Sequence, residues 1–190
     1  MENGQFARLR FHQQRIDHSL AWLHDNPVLP DLDSYFKSAA YPQKGIFKCR
    51  LVYNASGIQH VEFIPYSPVP VSSLRMVKAD HLDYALKWEN RDAIHELVQL
   101  RSSCDDVLLI RNGYITDTSY ANVVFSDGHV RVTPALPLLC GTMRQCLLDA
   151  GEIREDQISV QDISKFKTIQ LINSMLEFQG PTFPVSNIVQ

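Results

Sequence analysis

Two turn dipeptides in the second half of the chain constrain its fold more than any other feature. Asn112–Gly113 and Asp127–Gly128 each separate two short β-rich runs, and both dipeptides are typical of tight hairpins. The sequence therefore predicts a sheet that contains antiparallel hairpins. The four predicted strands cover residues 107–111, 114–116, 123–126 and 130–133.

Helical patterns flank these hairpins. Residues 90–101 carry Ile94, Leu97, Val98 and Arg101 on one stripe, which predicts an amphipathic helix. Residues 142–150 predict a second helix that ends at Gly151, and residues 169–173 predict a further strand. Because helices and hairpins alternate along the chain, the fold class is expected to be α+β, or mixed α/β.

The first third of the chain predicts a smaller set of elements. Alternating apolar and polar residues at 5–11 indicate a short strand, and the helical spacing that follows indicates a helix over 12–24. A second helix is expected over 31–40, with Asp31 or Asp33 as its cap. Two β-rich runs, 46–53 and 60–66, are separated by a turn sequence at 54–57.

A proline-containing stretch divides the chain. Pro65, Pro68 and Pro70 cannot lie in a central strand, so this stretch predicts a linker with its boundary near Val69. The expected domains are a small α/β domain over residues 1–68 and a larger domain over 69–190.

Composition excludes several classes of protein. Eighteen Lys and Arg against 21 Asp and Glu give a net charge of −3, which provides no overall attraction for nucleic acid or an anionic membrane. The four cysteines lack the spacing of a zinc site or a disulfide framework, so no metal is expected. The first residues do not resemble a signal peptide and no apolar run is long enough to span a membrane, so the expected location is the cytoplasm.

Polar residues at several turns occur in an order that resembles the class IV aminotransferases, a family of pyridoxal-phosphate enzymes that includes 4-amino-4-deoxychorismate lyase and D-amino-acid transaminase. The matching segments extend through nearly the whole chain. They are His12-Gln13-Gln14-Arg15, Lys87-Trp88-Glu89-Asn90, Asp117 to Asn122, Gly141-Thr142-Met143-Arg144 and Asn173-Ser174. The resemblance implies a two-domain fold, a homodimer, and pyridoxal 5′-phosphate between the two domains.

The resemblance assigns the central chemistry to two residues. Lys87 matches the lysine that forms a Schiff base with the cofactor, and such a lysine is expected to be partly desolvated so that it can be neutral. Asp117 matches the acid that contacts the pyridine nitrogen and keeps it protonated. Most family members carry glutamate at that position, and aspartate is one methylene shorter. Without the resemblance, Lys87 would be read as a solvated lysine before a helix, and Asp117 as a turn-capping residue.

Further cofactor contacts are implied for residues on both sides of that pair. Arg15 and the Gly141-Thr142-Met143 turn would hold the phosphate, since a helix N-terminus and an arginine both bind anions. Many relatives carry threonine where this chain has Met143, whereas the lyase branch carries methionine. Asn90 and Asn122 would have supporting roles.

The substrate carboxylate would contact a different set of residues. The Asn173-Ser174 loop matches the family's substrate loop, and Lys48 and Arg50 lie on one face of a predicted strand. Charged side chains that protect a strand edge are an equally good explanation for Lys48 and Arg50.

These assignments predict an aminotransferase that acts on a small amino acid or keto acid through Lys87. Two alternatives remain open: a 4-amino-4-deoxychorismate lyase that releases pyruvate and 4-aminobenzoate, and a catalytically silent relative with a binding role. A soluble α/β domain without a cofactor is a further, plainer interpretation. The resemblance begins within the family's first hairpin, so the chain is expected to lack the usual N-terminal segment, either through a trimmed start or as a naturally shorter member.

Overall fold

The computed structural model describes residues 1–190 and separates them into two compact units, Met1–Pro68 and Val69–Gln190. We call them unit 1 and unit 2. Residues 66–73, around the boundary, form neither helix nor strand. Both units contain helices and strands, so the predicted α+β class is confirmed. No helix combines the length and the apolar character that crossing a bilayer requires.

Unit 1 consists of two helices and one hairpin. Its elements are α1 (Leu9–Leu23), α2 (Leu32–Ser38), β1 (Phe47–Asn54) and β2 (Gly57–Pro65). The two strands pair antiparallel, and Gly57 takes a positive φ of 105° where the hairpin closes. Asp31 caps α2 by accepting hydrogen bonds from the amides of Asp33 and Ser34. Ile16 and Leu20 of α1 pack against Leu32 and Phe36 to form the core of this unit.

The predicted strand over residues 5–11 is wrong. Gln5 forms only an isolated bridge with Glu2, and the helix α1 already begins at Leu9. Leu9 lies seven residues before Ile16, so both side chains fall on the same face of α1 and join one core. Three alternating apolar residues were too few to separate a strand from the start of this helix.

Unit 2 is built on a nine-stranded sheet. Its strands are β3 (Leu74–Lys78), β4 (Asp106–Arg111), β5 (Tyr114–Thr118), β6 (Asn122–Ser126), β7 (Arg131–Pro134), β8 (Arg154–Asp156), β9 (Thr168–Ile172), β10 (Thr182–Pro184) and β11 (Ile188–Val189). The strand order is β10-β9-β6-β5-β4-β3-β11, with β7 paired to β6 and β8 paired to β7. The helices are α3 (Asp92–Val98) and α4 (Thr142–Asp149), with short 3-10 helices at Gln99–Arg101, Val160–Lys165 and Val185–Asn187.

Both predicted hairpins are present. The strands β4 and β5 are antiparallel and join at Asn112 and Gly113, which take positive φ values of 50° and 81°. The strands β6 and β7 are also antiparallel, and Gly128 takes a φ of 99° in their connection. Glycine and asparagine tolerate this left-handed conformation better than other residues, which explains their places in the turns.

Strand β4 is buried on both faces and organises the core of unit 2. Leu108 and Ile110 face one hydrophobic cluster, whereas Val107 and Leu109 face a second one that includes Ile94 of α3. The alternation is what a strand between two packed layers produces. The parallel pairing of β3 with β4 and with β11 is part of the same arrangement, and the sequence did not predict it.

Helix α4 packs against the part of the sheet that is formed by β6 and β9. Its residues Met143 and Leu147 form a cluster with Val124 of β6 and Ile172 of β9. This packing brings the first turn of α4 against the start of β6.

Candidate active site

Asp117 and Asn122 face each other across the tight turn between β5 and β6. They are directly opposite partners in the antiparallel pair, and the turn closes with a hydrogen bond from the Thr118 amide to the Ala121 carbonyl (2.9 Å). Asn122 Nδ2 donates to Asp117 Oδ1 at 2.7 Å. The five-residue spacing in the sequence therefore becomes a direct side-chain contact.

The Asp117 carboxylate is almost completely buried. Only 5% of the residue is exposed, and its second oxygen, Oδ2, accepts a hydrogen bond from the Leu139 amide at 2.8 Å. Burial raises the pKa of Asp117 to about 6, although the hydrogen bonds from Leu139 and Asn122 and the charge of Arg144 act in the opposite direction. At neutral pH this carboxylate is therefore mostly ionised inside a nearly dry environment.

The turn before α4 is connected to the same pair. Asn122 Nδ2 also donates to the Leu139 carbonyl at 2.9 Å. A Cβ atom on Gly141 would lie 1.9 Å from Asn122 Oδ1, so no larger residue fits at position 141 while Asn122 keeps this conformation. The side chain of Asn122 thus spans from the acid on β5 to the start of α4.

The N-terminus of α4 has the properties of an anion site. Gly141 is the cap residue, no side chain caps the helix, and the first intrahelical bond runs from the Gln145 amide to the Gly141 carbonyl (2.9 Å). The amides of Thr142 and Met143 therefore have no partner within the helix. The Met143 side chain points into the hydrophobic cluster of α4, so this residue can offer an anion only its backbone amide.

Arg144 is a buried cation near the acid that the sequence did not single out for a role of its own. It is 3% exposed, and its Nη2 donates to the Pro134 carbonyl (2.8 Å) and to Glu155 Oε1 (2.5 Å). It ties α4 to β7 and β8, and its charge lowers the pKa of Asp117. Its position in the Gly141-Thr142-Met143-Arg144 segment gave no sign that the side chain turns inward.

Lys87 is exposed, contrary to the expected desolvation of its amine. It lies in an irregular segment between β3 and α3 in which Leu82, Tyr84 and Leu86 are buried and the residues between them are exposed. An extended segment with this alternation directs Lys87 outward, and its Nζ lies 5.9 Å from the ring centre of Tyr84. The same alternation is visible in the sequence and could have predicted the outward direction.

A cavity of about 560 Å³ is lined by residues before and after Lys87 in the chain, but not by Lys87 itself. It is lined by Leu82, Asp83, Tyr84, Trp88, Glu89, Asn90, Arg91, Ala93 and Ile94. Asn90 Oδ1 accepts a hydrogen bond from the Asp92 amide (2.8 Å), and Asn90 Nδ2 donates to Asp92 Oδ2 (3.0 Å), so the side chain supports the start of α3.

Arg91 connects the Lys87 segment to the Asp117 turn. Its Nη2 donates to the Ser119 carbonyl at 2.5 Å, two residues after Asp117 in the chain. No pattern in the sequence predicts this contact, because the acceptor is a backbone carbonyl.

The predicted substrate loop also reaches the Asp117 turn. Asn173 Nδ2 donates to the Tyr120 carbonyl at 3.4 Å, whereas Asn173 Oδ1 accepts from the amides of Met175 (2.8 Å) and Leu176 (2.9 Å). The Asn173 side chain is thus occupied in shaping its own loop. Ser174 follows it and is half-buried.

Three predicted site residues belong to unit 1. Arg15 Nη2 lies 3.4 Å from His12 Nδ1 on α1, where burial, followed by the charges of Arg15 and Arg8, lowers the pKa of His12 to about 4. Arg50 Nη1 pairs with Glu62 Oε1 across the hairpin at 2.7 Å, and Lys48 is exposed on the same strand. The ion pair supports the strand-protection explanation for Arg50.

Within unit 2, the structure brings together a buried carboxylate, an asparagine, an uncapped helix N-terminus and the Asn173-Ser174 loop. An acid held among fixed donors can stabilise a positive charge, and the helix terminus can hold an anion. No three His, Cys, Asp or Glu side chains are grouped so that they could ligate a metal ion.

Comparisons with known proteins identify relatives of the chain. The sequence profile of the family described as amino-transferase class IV matches residues 76–183. An uncharacterised protein of Haemophilus influenzae is 33% identical over 177 residues, which cover 92% of this chain and 94% of that protein.

Two solved structures extend the comparison. A protein of Haemophilus somnus described as a "putative 4-amino-4-deoxychorismate lyase" is 30% identical, with a TM-score of 0.81 and coverage of 92% of both chains. A pyridoxal-phosphate-bound "hypothetical aminotransferase" of Mycobacterium tuberculosis shares the fold at 19% identity, with a TM-score of 0.74 over 98% of this chain and 78% of that one.

Proposed function

The chain belongs to the class IV aminotransferases, a family of pyridoxal-phosphate-dependent enzymes, and we propose that Lys87, Asp117 and the α4 turn serve that chemistry here. The observation that carries the proposal is the contact of Asn122 with both Asp117 and the turn before α4. Through this contact Asn122 links Asp117, which can accept a hydrogen bond from a protonated ring nitrogen, to the N-terminus of α4, which can bind a phosphate.

The residues of unit 2 fit this cofactor chemically. A carboxylate has about four acceptor positions, and Asn122 and the amides of Leu138 and Leu139 use three of those on Asp117, so one remains for a ring N–H. The uncapped α4 terminus offers the amides of Thr142 and Met143 to a phosphate. Arg15 is the proposed additional phosphate ligand, and Asn90 a proposed neighbour of the cofactor.

Bound pyridoxal phosphate would supply an aldehyde that condenses with amines and a ring that accepts the electron pair left at the substrate Cα. Lys87 Nζ is the proposed amine that holds the aldehyde and later takes the proton from Cα. Asp117 would hold the proton on the ring nitrogen by accepting its hydrogen bond. Its pKa of about 6 means that it is ionised, and able to do so, at neutral pH.

Lys87 must be neutral when it accepts a proton, and a solvated ammonium is not. Because the side chain is exposed in the chain by itself, bound cofactor and substrate, or a second copy of the chain, must cover it during the reaction. The predicted homodimer is part of this proposal. Light scattering on the purified protein tests it: a mass of about twice 21.7 kDa supports the dimer, and a monomer at all concentrations contradicts it.

We propose transamination of a small amino acid with a keto acid as the reaction. The substrate carboxylate would contact the Asn173-Ser174 loop, in which Asn173 Oδ1 already accepts from the amides of Met175 and Leu176. Lys48 and Arg50 are the further proposed carboxylate ligands, and Arg50 would have to share its guanidinium between the substrate and Glu62.

The second candidate is 4-amino-4-deoxychorismate lyase. The Haemophilus somnus protein carries that description at 30% identity over most of both chains, and Met143 matches the lyase branch. Both reactions begin with proton removal at Cα, so Lys87 would serve either one.

Parallel activity assays test the proposal and separate these candidates. One assay offers an amino acid with a keto acid, and the other offers aminodeoxychorismate, each with wild type, Lys87→Ala and the exposed-lysine control Lys78→Ala. Amination of the keto acid without pyruvate release, lost only in Lys87→Ala, supports the transaminase. Release of pyruvate and 4-aminobenzoate supports the lyase, and no activity in either assay supports the silent relative.

A further inference from the structure

The side chain of Asn122 makes contacts in three directions. Its Nδ2 donates to Asp117 Oδ1 (2.7 Å) and to the Leu139 carbonyl (2.9 Å), while its Oδ1 occupies the space beside Gly141. We propose that Asn122 is a positioning residue that fixes the Asp117 carboxylate relative to the first turn of α4, and so sets the spacing between the ring end and the phosphate end of the cofactor site. This inference rests on the function proposed above.

Only an amide of this size satisfies the two acceptors. The Nδ2 group has two N–H donors, and both have acceptors here: one carboxylate oxygen and one backbone carbonyl. An aspartate at position 122 would place a second carboxyl group against Asp117 and would offer no N–H. An alanine would leave both acceptors without this donor inside the protein.

Gly141 is required by the side chain of Asn122 and not by the backbone. Its φ of −71° and ψ of 146° are open to any residue, so a methyl group would cause no backbone strain. The obstacle is Asn122 Oδ1, which would lie 1.9 Å from the added Cβ. Positions 122 and 141 are therefore coupled, and removing the Asn122 side chain opens the space that an alanine at 141 needs.

If Asn122 had a purely structural role, its variants would behave differently. If Asn122 only held the β5–β6 turn against α4, its loss would lower stability and leave the titration of Asp117 unchanged. The contact with a carboxylate adds a second effect, because the hydrogen bond from Asn122 lowers the pKa of Asp117. Arg144 is the charged group that also lowers it, and it stays in place in every variant below.

The test measures the titration of Asp117 in the protein without cofactor, by carboxyl ¹³C NMR, in wild type, Asn122→Ala, Gly141→Ala and the double variant. In Asn122→Ala we expect the pKa of Asp117 to rise by about one pH unit, the effect of losing a hydrogen bond to a charged group. We expect the apparent dissociation constant for pyridoxal phosphate, followed by absorbance, to rise about tenfold.

The double variant separates packing from positioning. Gly141→Ala alone should lower the melting temperature, and adding Asn122→Ala should recover part of that loss because the methyl group fills the vacated space. The Asp117 titration should remain shifted in the double variant, since no donor has been restored. If Asn122→Ala does not fold, Asn122→Asp keeps the shape of the side chain and should raise the pKa of Asp117 through the added carboxyl group.

Thr133→Val is the matched control. Thr133 is fully buried, and its hydroxyl donates to the carbonyl of Val123, next to Asn122, at 2.8 Å, but it has no bond to Asp117. It should cost stability without moving the Asp117 titration. The inference is overturned if the Asn122 variants leave the Asp117 titration where it is in wild type, or if Thr133→Val moves it equally. Because this titration needs no cofactor, a failure of the cofactor to bind wild type would refute the proposed function, while the titration would still report separately whether Asn122 holds the Asp117 carboxylate.

Discussion

At the scale of single residues, the site depends on how Asp117 is enclosed. Its two oxygens accept from Asn122 and Leu139 at 2.7 and 2.8 Å, and only 5% of the residue is exposed. The resemblance raised the question of how an aspartate replaces the usual glutamate. In this structure the neighbours fit closely around the shorter side chain, so the substitution comes with its own hydrogen-bonding partners.

Asp117→Glu should therefore lower stability although it restores the residue common in the family. The extra methylene has to displace Asn122 or the Leu139 backbone, and overpacking of this kind costs about 1–3 kcal/mol. Urea unfolding measures the change, with the exposed Asp149→Glu as a control for the same chemical change. A variant as stable as wild type would contradict the close fit of Asn122 and Leu139 around Asp117.

At the scale of elements, α3 and α4 begin differently. The cap residues of both helices, Arg91 and Gly141, make no side-chain cap hydrogen bond, but at α3 the preceding residue Asn90 accepts from the Asp92 amide. At α4, amides without a side-chain acceptor lie beside a buried acid and can bind an anionic ligand. At α3, the hydrogen bond from the Asp92 amide to Asn90 stabilises the helix itself.

Asn90→Ala should cost about 1 kcal/mol because the Asp92 amide loses its acceptor, and Asn90→Ser should recover much of it. Thermal unfolding of the protein without cofactor gives these values. Pyridoxal-phosphate titration of the same variants tests the proposed cofactor role of Asn90. Affinity that falls in Asn90→Ala and stays low in the stable Asn90→Ser supports that role, and unchanged affinity in both refutes it.

The elements that the sequence predicted are those with a strong local cause. The hairpin turn at Asn112–Gly113 and the helix after Gly141 were predicted because turn conformation and helical periodicity depend on neighbouring residues. The short strands β3 and β11 pair in parallel with residues far along the chain, and no local pattern specifies that. The site follows the same division: the Asp117–Asn122 pair lies within one turn, whereas the Leu139 amide comes from a distant segment and has no side-chain signature.

At the scale of the whole molecule, the structure describes two units, and each contains a titratable group whose surroundings shift its pKa strongly. His12 of unit 1 has a pKa lowered to about 4, chiefly by burial, and Asp117 of unit 2 has one raised to about 6, also chiefly by burial. Both groups bind protons differently in the folded and unfolded chain, so both make stability depend on pH.

The two groups should act in opposite directions between about pH 6 and pH 4. The unfolded chain binds a proton at His12 that the folded chain does not, so acidification destabilises wild type relative to His12→Gln. The folded chain binds a proton at Asp117 before the unfolded chain does, so acidification stabilises wild type relative to Asp117→Asn. Each difference should approach at most about 3 kcal/mol, measured by urea unfolding across this range. If the differences in unfolding free energy did not vary with pH, the shifted pKa values of His12 and Asp117 would be contradicted.

The most direct test of the central claim, that Lys87 is the amine which holds the cofactor, is borohydride reduction of the protein after incubation with pyridoxal phosphate, followed by peptide mapping. We predict one stoichiometric reduced adduct at Lys87, absent from Lys87→Ala and retained in Lys78→Ala. An adduct on another lysine, or no adduct in a folded protein, would contradict the claim.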